Sequence, residues 1–104
     1  MKPRRETDIQ LSIIHYLKVI GATVGKTKTL GVKRGKVYYA DPYVMRGKAD
    51  LECFWKGVMF AIEVKSEKGK LSEFQELYRE SFHKPPDRIY ILAYSLGDVL
   101  AVIN

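Results

Sequence analysis

Cysteine is almost absent from this chain, because Cys53 is the only one among 104 residues. A single cysteine excludes an intrachain disulfide and indicates a reducing compartment. Histidine is scarce as well, since His15 and His83 stand far apart in the sequence. One cysteine and two isolated histidines do not predict a zinc site. Nothing in the sequence indicates a serine or cysteine nucleophile.

Long apolar runs are also missing, and no stretch approaches the roughly 20 residues that a membrane-spanning helix needs. The first residues, Met1 to Arg5, are basic and lead into an amphipathic pattern, which differs from the apolar centre of a signal peptide. We therefore expect a cytoplasmic protein. Repeats and low-complexity segments are absent too, and the length suits one core, so residues 1–104 are predicted to form a single domain.

Acidic residues are outnumbered, with twelve Asp and Glu against eighteen Lys and Arg, which gives a net charge of +6. Such a surplus of positive charge is typical of a protein that meets a polyanion. Hydrophobic residues make up 46% of the chain and aromatic residues 12%, which predicts a folded domain and excludes a disordered tail.

The central stretch predicts a β-hairpin. Two runs rich in aromatic and β-branched residues meet at Lys56-Gly57, which is typical of a two-residue turn with glycine in second position. Trp55 then faces Val58, and the same register places Asp50 opposite Glu63. Alternate residues should face the core, and this set is Leu51, Cys53, Trp55, Val58, Phe60, Ile62 and Val64.

The facing pair of Asp50 and Glu63 needs a reason, because like charges directly across two strands destabilise a sheet by about 0.2 to 1 kcal/mol. Lys65 lies two residues after Glu63, so its side chain projects from the same face. Carboxylates on two strands are ligands that suit Mg²⁺, which takes one or two of them together with water and phosphate oxygens. The alternative is a solvent-facing strand with alternating charges, in which Lys65 only pairs with Glu63.

Two helices flank the hairpin in the sequence. The first is predicted from about Arg5 to Ile20, with Thr7 and Gln10 as a capping box, or with Pro3 starting the helix one turn earlier. Glu6 falls in the middle of its apolar stripe. It either points towards the Asp50 and Glu63 pair or lies at the helix end, where negative charge is favourable.

The second helix follows a turn and is predicted to begin after Ser72. Gln75, one turn into this helix, completes a capping box with Ser72 or has a role in the site. An apolar strand from Arg88 to Tyr94 comes next, so the chain forms a crossover unit whose last strand is parallel to the Glu63 strand. The expected buried stripe of the helix consists of Phe74, Leu77, Tyr78 and Phe82.

Taken together, Gly47-x-x-Asp50, Glu63-x-Lys65 and the helical Gln75 resemble the motif of the PD-(D/E)XK nuclease superfamily, and within it most closely the VRR-NUC domain. The resemblance runs from the first helix to the last strand. The proline that names the superfamily is absent, because Asp50 follows lysine and alanine. The fold that the resemblance implies is an α/β restriction-endonuclease-like core of order αβββαβ, with a mixed sheet flanked by helices.

The resemblance also implies a metal site. Asp50, Glu63 and the backbone carbonyl of Val64 would hold Mg²⁺, for which Mn²⁺ can substitute, and Glu6 would lie near enough to assist. Lys65 would act on the attacking water and on the phosphate.

Gln75 would be the helical glutamine of the family, which orients that water or the lysine. The corresponding activity is metal-dependent hydrolysis of DNA phosphodiester bonds.

Basic residues before and inside the motif could bind DNA, and tyrosines among them, Tyr38, Tyr39 and Tyr43, could stack on bases or pack in the core. The alternative is a solvated loop followed by a strand. The candidate phosphate-binding residues are Lys26, Lys28, Lys33, Arg34, Lys36 and Lys48.

Two functions therefore remain open from the sequence. The first is an endonuclease, and stand-alone domains of the resembled type imply a homodimer that cuts four-way (Holliday) junctions in the cytosol of a bacterial or phage-infected cell. Larger relatives imply flaps or other DNA ends instead. The second is a nucleic-acid-binding module without chemistry, in which Asp50 and Glu63 merely pair with Lys48 and Lys65.

Overall fold

The computed structural model describes residues 5–27, 32–34, 37–39 and 46–104, with only the backbone described for 32–34 and 37–39. These residues form three helices and six strands in the following order: α1 (Glu6–Val19), β1 (Thr23–Lys26), β2 (Val32–Arg34), β3 (Val37–Tyr39), β4 (Leu51–Trp55), β5 (Val58–Val64), α2 (Glu73–Phe82), β6 (Arg88–Ala93) and α3 (Leu96–Leu100).

A mixed sheet of four strands in the order β1-β4-β5-β6 forms the centre of the described fold. Strand β4 pairs antiparallel with β1 and β5, whereas β6 is parallel to β5, as predicted for the crossover through α2. Strands β2 and β3 form a separate antiparallel pair. If β2, β3 and the terminal α3 are left out, the remaining elements follow one another in the predicted order αβββαβ.

The central hairpin has the predicted turn and register. Lys56 and Gly57 both have positive φ angles, of 49° and 79°, as a type I′ turn requires. The pairing runs from Trp55 opposite Val58 to Leu51 opposite Ile62. Asp50, the residue before β4, therefore comes next to Glu63.

The larger core lies on one face of the sheet, where α1 and α3 cover it. The predicted inward residues of the hairpin are found there, and Trp55 and Val58 are only partly buried. Tyr16 of α1 donates a hydrogen bond from its hydroxyl to the carbonyl of Ile103, which links α1 to the residues after α3. The buried residues of this core are Ile9, Ile13, Leu17, Leu51, Cys53, Phe60, Ile62, Val64, Ile91, Ala93, Val99 and Ile103.

A second, smaller core lies on the opposite face of the sheet, under α2. The sequence predicted an apolar core on only one face of the hairpin, but the crossover through α2 covers the other face as well. Near the hairpin turn that face is apolar, and the charged groups follow only where the strands open. The buried residues of this cluster are Ala49, Ala61, Tyr78, Phe82 and Tyr90.

The predicted capping box of α1 is wrong. The helix begins at Glu6 with Arg5 as N-cap, and no side chain caps it. Thr7 is already inside the first turn, where it cannot accept the orphan N–H bonds that an N-cap satisfies. Glu6 and Asp8 instead place negative charge at the positive end of the helix dipole.

The buried stripe of α2 is narrower than predicted. Tyr78 and Phe82 are buried, but Phe74 and Leu77 are 49% and 56% exposed. Phe74 lies under the guanidinium of Arg46, 5.1 Å from its ring centre, instead of against the sheet. Within the described ranges, no helix combines the length and apolar composition that crossing a bilayer requires.

Gly47 packs directly on the first turn of α2. A Cβ atom there would overlap the carbonyl of Phe74 and lie 2.6 Å from the backbone nitrogen of Gln75. Its φ angle is also +74°, which residues other than glycine rarely adopt. The glycine of the Gly-x-x-Asp motif thus lets the chain before β4 touch the start of α2.

We predict that Gly47→Ala destabilises the protein far more than Gly57→Ala. The two glycines have similar positive φ angles, but nothing lies within 4 Å of a Cβ atom on Gly57. Gly57→Ala should therefore cost only the left-handed backbone term, about 1–2 kcal/mol, whereas Gly47→Ala must also displace the backbone of α2. Urea unfolding of both variants measures the difference, and equal losses would show that Gly47 serves only the turn.

Candidate active site

Asp50 and Glu63 meet at the open end of the hairpin. The backbone N–H of Asp50 donates to Oε2 of Glu63 at 3.2 Å, and the N–H of Val64 donates to Oδ2 of Asp50 at 2.9 Å. Each carboxylate thus accepts a hydrogen bond from the other strand. This reciprocal arrangement fixes the two acids against one another where the regular β4–β5 pairing has ended.

Glu63 is the one buried charged residue of the described fold, with 3% of its surface exposed. Besides Asp50, it is contacted by the Nε2 amide of Gln75, which donates to Oε1 at 2.9 Å. The ammonium of Lys65 lies 3.8 Å from the same oxygen. Three elements of the chain therefore converge on this carboxylate.

Gln75 combines the two alternatives that its position suggested. Its Oε1 accepts from the N–H of Ser72 at 2.8 Å, and its own N–H donates to the Ser72 hydroxyl at 3.2 Å, which completes the predicted capping box. Its amide nitrogen remains available for Glu63. The interaction is with the carboxylate, whereas the resemblance implied an interaction with the lysine or a water.

The pKa of Glu63 is raised to about 7. Burial is the largest cause, and the nearby charge of Asp50 is the second, because both oppose a further negative charge. Lys65 and the backbone hydrogen bond from Asp50 act in the opposite direction but do not compensate fully. The positive charge of Lys65 is thus not enough to offset burial and the charge of Asp50.

Glu6 lies exposed in the first turn of α1, as the helix-end alternative requires. It is nevertheless near enough to Glu63 for its charge to contribute, as the smallest cause, to the raised pKa. The structure therefore places Glu6 at the border of the site without a direct hydrogen bond to it among the described residues.

Lys65 is held in place by the turn that follows β5. Its side chain is 18% exposed, and it packs so closely on Gly69 that a Cβ atom there would lie 3.0 Å from the Cβ of Lys65. The hydroxyl of Tyr94 donates to the carbonyl of Gly69 at 3.0 Å, which fastens the turn to the end of β6. These contacts hold the Lys65 side chain beside the Glu63 carboxylate.

Thr27 is a supporting residue that the sequence did not indicate. Its N–H donates to the carbonyl of Asp50 at 3.0 Å, and its hydroxyl donates to the carbonyl of Ala49. Both bonds extend the β1–β4 pairing by one step and hold the backbone that carries Asp50. An isolated threonine at the end of a short strand has no sequence signal that could have predicted this.

The basic candidates are placed only in part. Lys26 is exposed on the edge strand β1, and Lys48 forms an ion pair with Glu52 at 3.1 Å. The expected pairing of Lys48 with Asp50 in a purely binding module is therefore wrong, and Asp50 has no ion pair among the residues that the structure describes.

The remaining basic and tyrosine candidates are not placed. The residues or side chains that lie outside the described part of the chain are Lys28, Lys33, Arg34, Lys36, Tyr38, Tyr39 and Tyr43.

The donor set fits a hard cation, although no group of three or more His, Cys, Asp or Glu side chains with metal-binding geometry occurs among the described residues. Asp50 and Glu63 supply the one or two carboxylates that Mg²⁺ usually takes. In a strand, the N–H and C=O of one residue point to the same side. The Val64 carbonyl therefore lies on the same side of β5 as its N–H, which donates to Asp50.

Cysteine chemistry does not fit the site. Cys53 is fully buried in the larger core, and burial raises the pKa of its thiol to about 11. A thiol with such a pKa holds its proton at neutral pH and is not a nucleophile.

Comparison with known proteins gives one kind of match. No family model matches the sequence, and a search of curated proteins gives no match either. Among solved structures, one described as "VRR_NUC domain" matches with a TM-score of 0.63 over 94% of this chain and 92% of that chain, at 22% sequence identity. At this identity the likeness concerns the fold. The chain has the restriction-endonuclease-like fold of a VRR_NUC domain.

Proposed function

We propose that this protein is a Mg²⁺-dependent endonuclease that hydrolyses phosphodiester bonds in DNA. The observation that carries the proposal is the pair of Asp50 and Glu63, which accept hydrogen bonds from each other's strands beside the ammonium of Lys65. The likeness to a VRR_NUC domain in fold also supports it.

Asp50, Glu63 and the Val64 carbonyl would hold the cation, with Mn²⁺ as a substitute, and Glu6 would add negative charge at its border. A bound divalent ion supplies Lewis-acid polarisation of the scissile phosphate and lowers the pKa of water. It would also relieve the repulsion that raises the pKa of Glu63.

Lys65 would act on the reacting groups directly. Its ammonium lies on the carboxylate face, where it can orient the attacking water and offset the negative charge that grows on the phosphoryl oxygens. Gln75 would keep Glu63 in place through its hydrogen bond to Oε1. The exposed Lys26, with the other basic candidates, would bind the DNA backbone.

A binding module without chemistry is the weaker candidate. A protein that only binds DNA gains nothing from two acids that face one another on the surface meant for phosphates. Burying Glu63 between Asp50 and Gln75 also costs free energy, since it is removed from water beside a like charge. A cation explains this arrangement, whereas DNA binding alone does not.

The first test is cleavage of plasmid and branched DNA with Mg²⁺, Mn²⁺ or EDTA. We predict that Asp50→Asn and Glu63→Gln reduce the rate by more than about 100-fold. This exceeds the loss typical of a residue that only hydrogen-bonds to a metal ligand. Glu52→Gln is the matched control, because Glu52 lies on the same strand face as Asp50 but pairs with Lys48.

The control should cut at close to the wild-type rate, and EDTA should stop all cleavage. Wild-type cleavage by Asp50→Asn would refute the site. DNA binding by every variant without any cleavage by the wild type would instead support the binding module.

The second test uses the pH dependence of stability without metal. The folded state keeps the proton of Glu63 up to about pH 7, whereas the unfolded chain releases it near pH 4.5. The folded state therefore binds the extra proton between these values, so the free energy of unfolding falls as pH rises through this window. The fall should be on the order of 3 kcal/mol, at 1.36 kcal/mol per pKa unit.

Urea unfolding across this pH range measures the effect. Glu63→Gln should lose this part of the pH dependence, and Mg²⁺ should restore stability above pH 7 in the wild type but not in the variant. An identical pH dependence in both proteins would mean that Glu63 does not titrate in this range.

We infer further that the substrate is branched DNA, with four-way junctions the leading choice, and that the protein acts as a homodimer. A junction needs two related cuts, and the described residues build one site. Two-fold dimers are the commonest oligomers and would present two sites at a fixed separation. Flaps and other DNA ends are the alternative substrates.

Light scattering and cleavage of matched junction, flap and linear substrates test this step. We expect a dimer that cuts the junction fastest, with an affinity that falls steeply as salt rises. A monomer that cuts linear duplex as fast as a junction would refute the substrate and the dimer and leave the nuclease assignment intact.

A further inference from the structure

One buried hydroxyl near the carboxylates takes part in none of the contacts described so far. Tyr90 of β6 is 8% exposed, and its hydroxyl oxygen is buried without a hydrogen-bond partner among the described residues. Buried hydroxyls in folded proteins nearly always have a partner, so this one calls for an explanation.

The sheet register brings Tyr90 beside the site. Strand β6 is parallel to β5, with Tyr90 opposite Ala61 and Leu92 opposite Glu63. Residues two apart on a strand share a face, so Tyr90 lies on the face that carries Glu63. Tyr90 also belongs to the buried cluster that contains Ala61 and Ala49, two small residues that leave room for its ring.

The electrostatics of the hydroxyl agree with this placement. Burial is the first cause that raises the pKa of Tyr90, the charge of Glu63 is the second, and the charge of Asp50 adds to both. The charges of both carboxylates therefore act on this hydroxyl. Neither carboxylate accepts a direct hydrogen bond from it, so a link between them has to pass through water.

The ring itself is held by other contacts. The N–H of Tyr90 donates to Nδ1 of His83 at 3.0 Å, and the ring makes an edge contact with Tyr78 at 6.2 Å between centres. Neither contact uses the hydroxyl. Packing can therefore explain a phenylalanine at this position, but not the buried oxygen of a tyrosine.

We propose that Tyr90 is a positioning residue of the candidate metal site: its hydroxyl donates through one bound water to the Asp50–Glu63 pair and orients these carboxylates for a divalent cation. The proposal rests on the nuclease function inferred above, because that function gives the pair its metal. Partners that hydrogen-bond to ligating carboxylates orient them, and their loss costs about 10- to 100-fold in metal affinity or activity.

The test is Tyr90→Phe in the full chain, which removes only the hydroxyl. Calorimetric titration with Mn²⁺ in the absence of DNA should give a dissociation constant at least about 10-fold higher than that of the wild type. The melting temperature of the metal-free variant should equal or exceed the wild-type value, because no protein group loses a hydrogen bond.

Tyr78→Phe is the matched control. Tyr78 belongs to the same cluster and stacks on Phe82 at 5.7 Å, but its hydroxyl is not one of the buried unpaired atoms. This variant should bind Mn²⁺ like the wild type. Equal weakening by both substitutions would mean that general loosening of the cluster, and not the Tyr90 hydroxyl, sets the affinity, and would overturn the proposal.

Asp50→Asn separates the two levels of inference. Unchanged Mn²⁺ affinity in Tyr90→Phe, together with lost binding in Asp50→Asn, overturns the Tyr90 proposal alone. A lower melting temperature with unchanged affinity does the same and assigns the residue to packing. Absence of Mn²⁺ binding by the wild type, or binding by Asp50→Asn as tight as that of the wild type, overturns the metal site and the proposed function with it.

Discussion

The repulsion between Asp50 and Glu63 is the constraint on which the described structure depends. Two acids on facing strands destabilise the folded state, and the destabilisation is larger when one of them is buried, as Glu63 is. The fold compensates with hydrogen bonds from two backbone N–H groups and one side-chain amide, and with one nearby ammonium. These groups come from the start of β4, the end of β5 and the first turn of α2, so the site exists only when all three are assembled.

The first turn of α2 is the least replaceable of these parts. The side chain of Gln75 caps the helix with one atom and binds Glu63 with another. Gly47 packs on the same turn, which joins the strand that carries Asp50 to the helix that carries Gln75. The start of α2 and the geometry of the carboxylates are therefore coupled, because a shift of either one moves the other.

The hairpin, its turn and its register could be predicted because alternation of apolar residues and a Lys-Gly turn are local signals, and they led directly to the pairing of Asp50 with Glu63. The second core could be predicted only in part: helical periodicity indicated that Tyr78 and Phe82 are buried, but no local signal indicated that they pack with Ala61. Helical periodicity likewise assigned Phe74 to the core, although Arg46 covers it instead. Thr27 and Tyr90 lie near the carboxylates only because β1 and β6 pair with the hairpin. No sequence motif indicates this pairing.

The charge distribution adds a consequence for the proposed reaction. The chain as a whole is positive and attracts a polyanion, yet the pair of carboxylates would repel the phosphate that must be cut. A divalent cation bound by Asp50 and Glu63 in the proposed site would neutralise their charges without changing the basic surface around it. In the proposed enzyme, binding and chemistry would thereby be separated. DNA would associate through the lysines alone, whereas a phosphate would approach Lys65 closely only after the acids are neutralised. The buried carboxylate that opposes folding without a metal ion would thus, in the proposed enzyme, favour the metal-bound site.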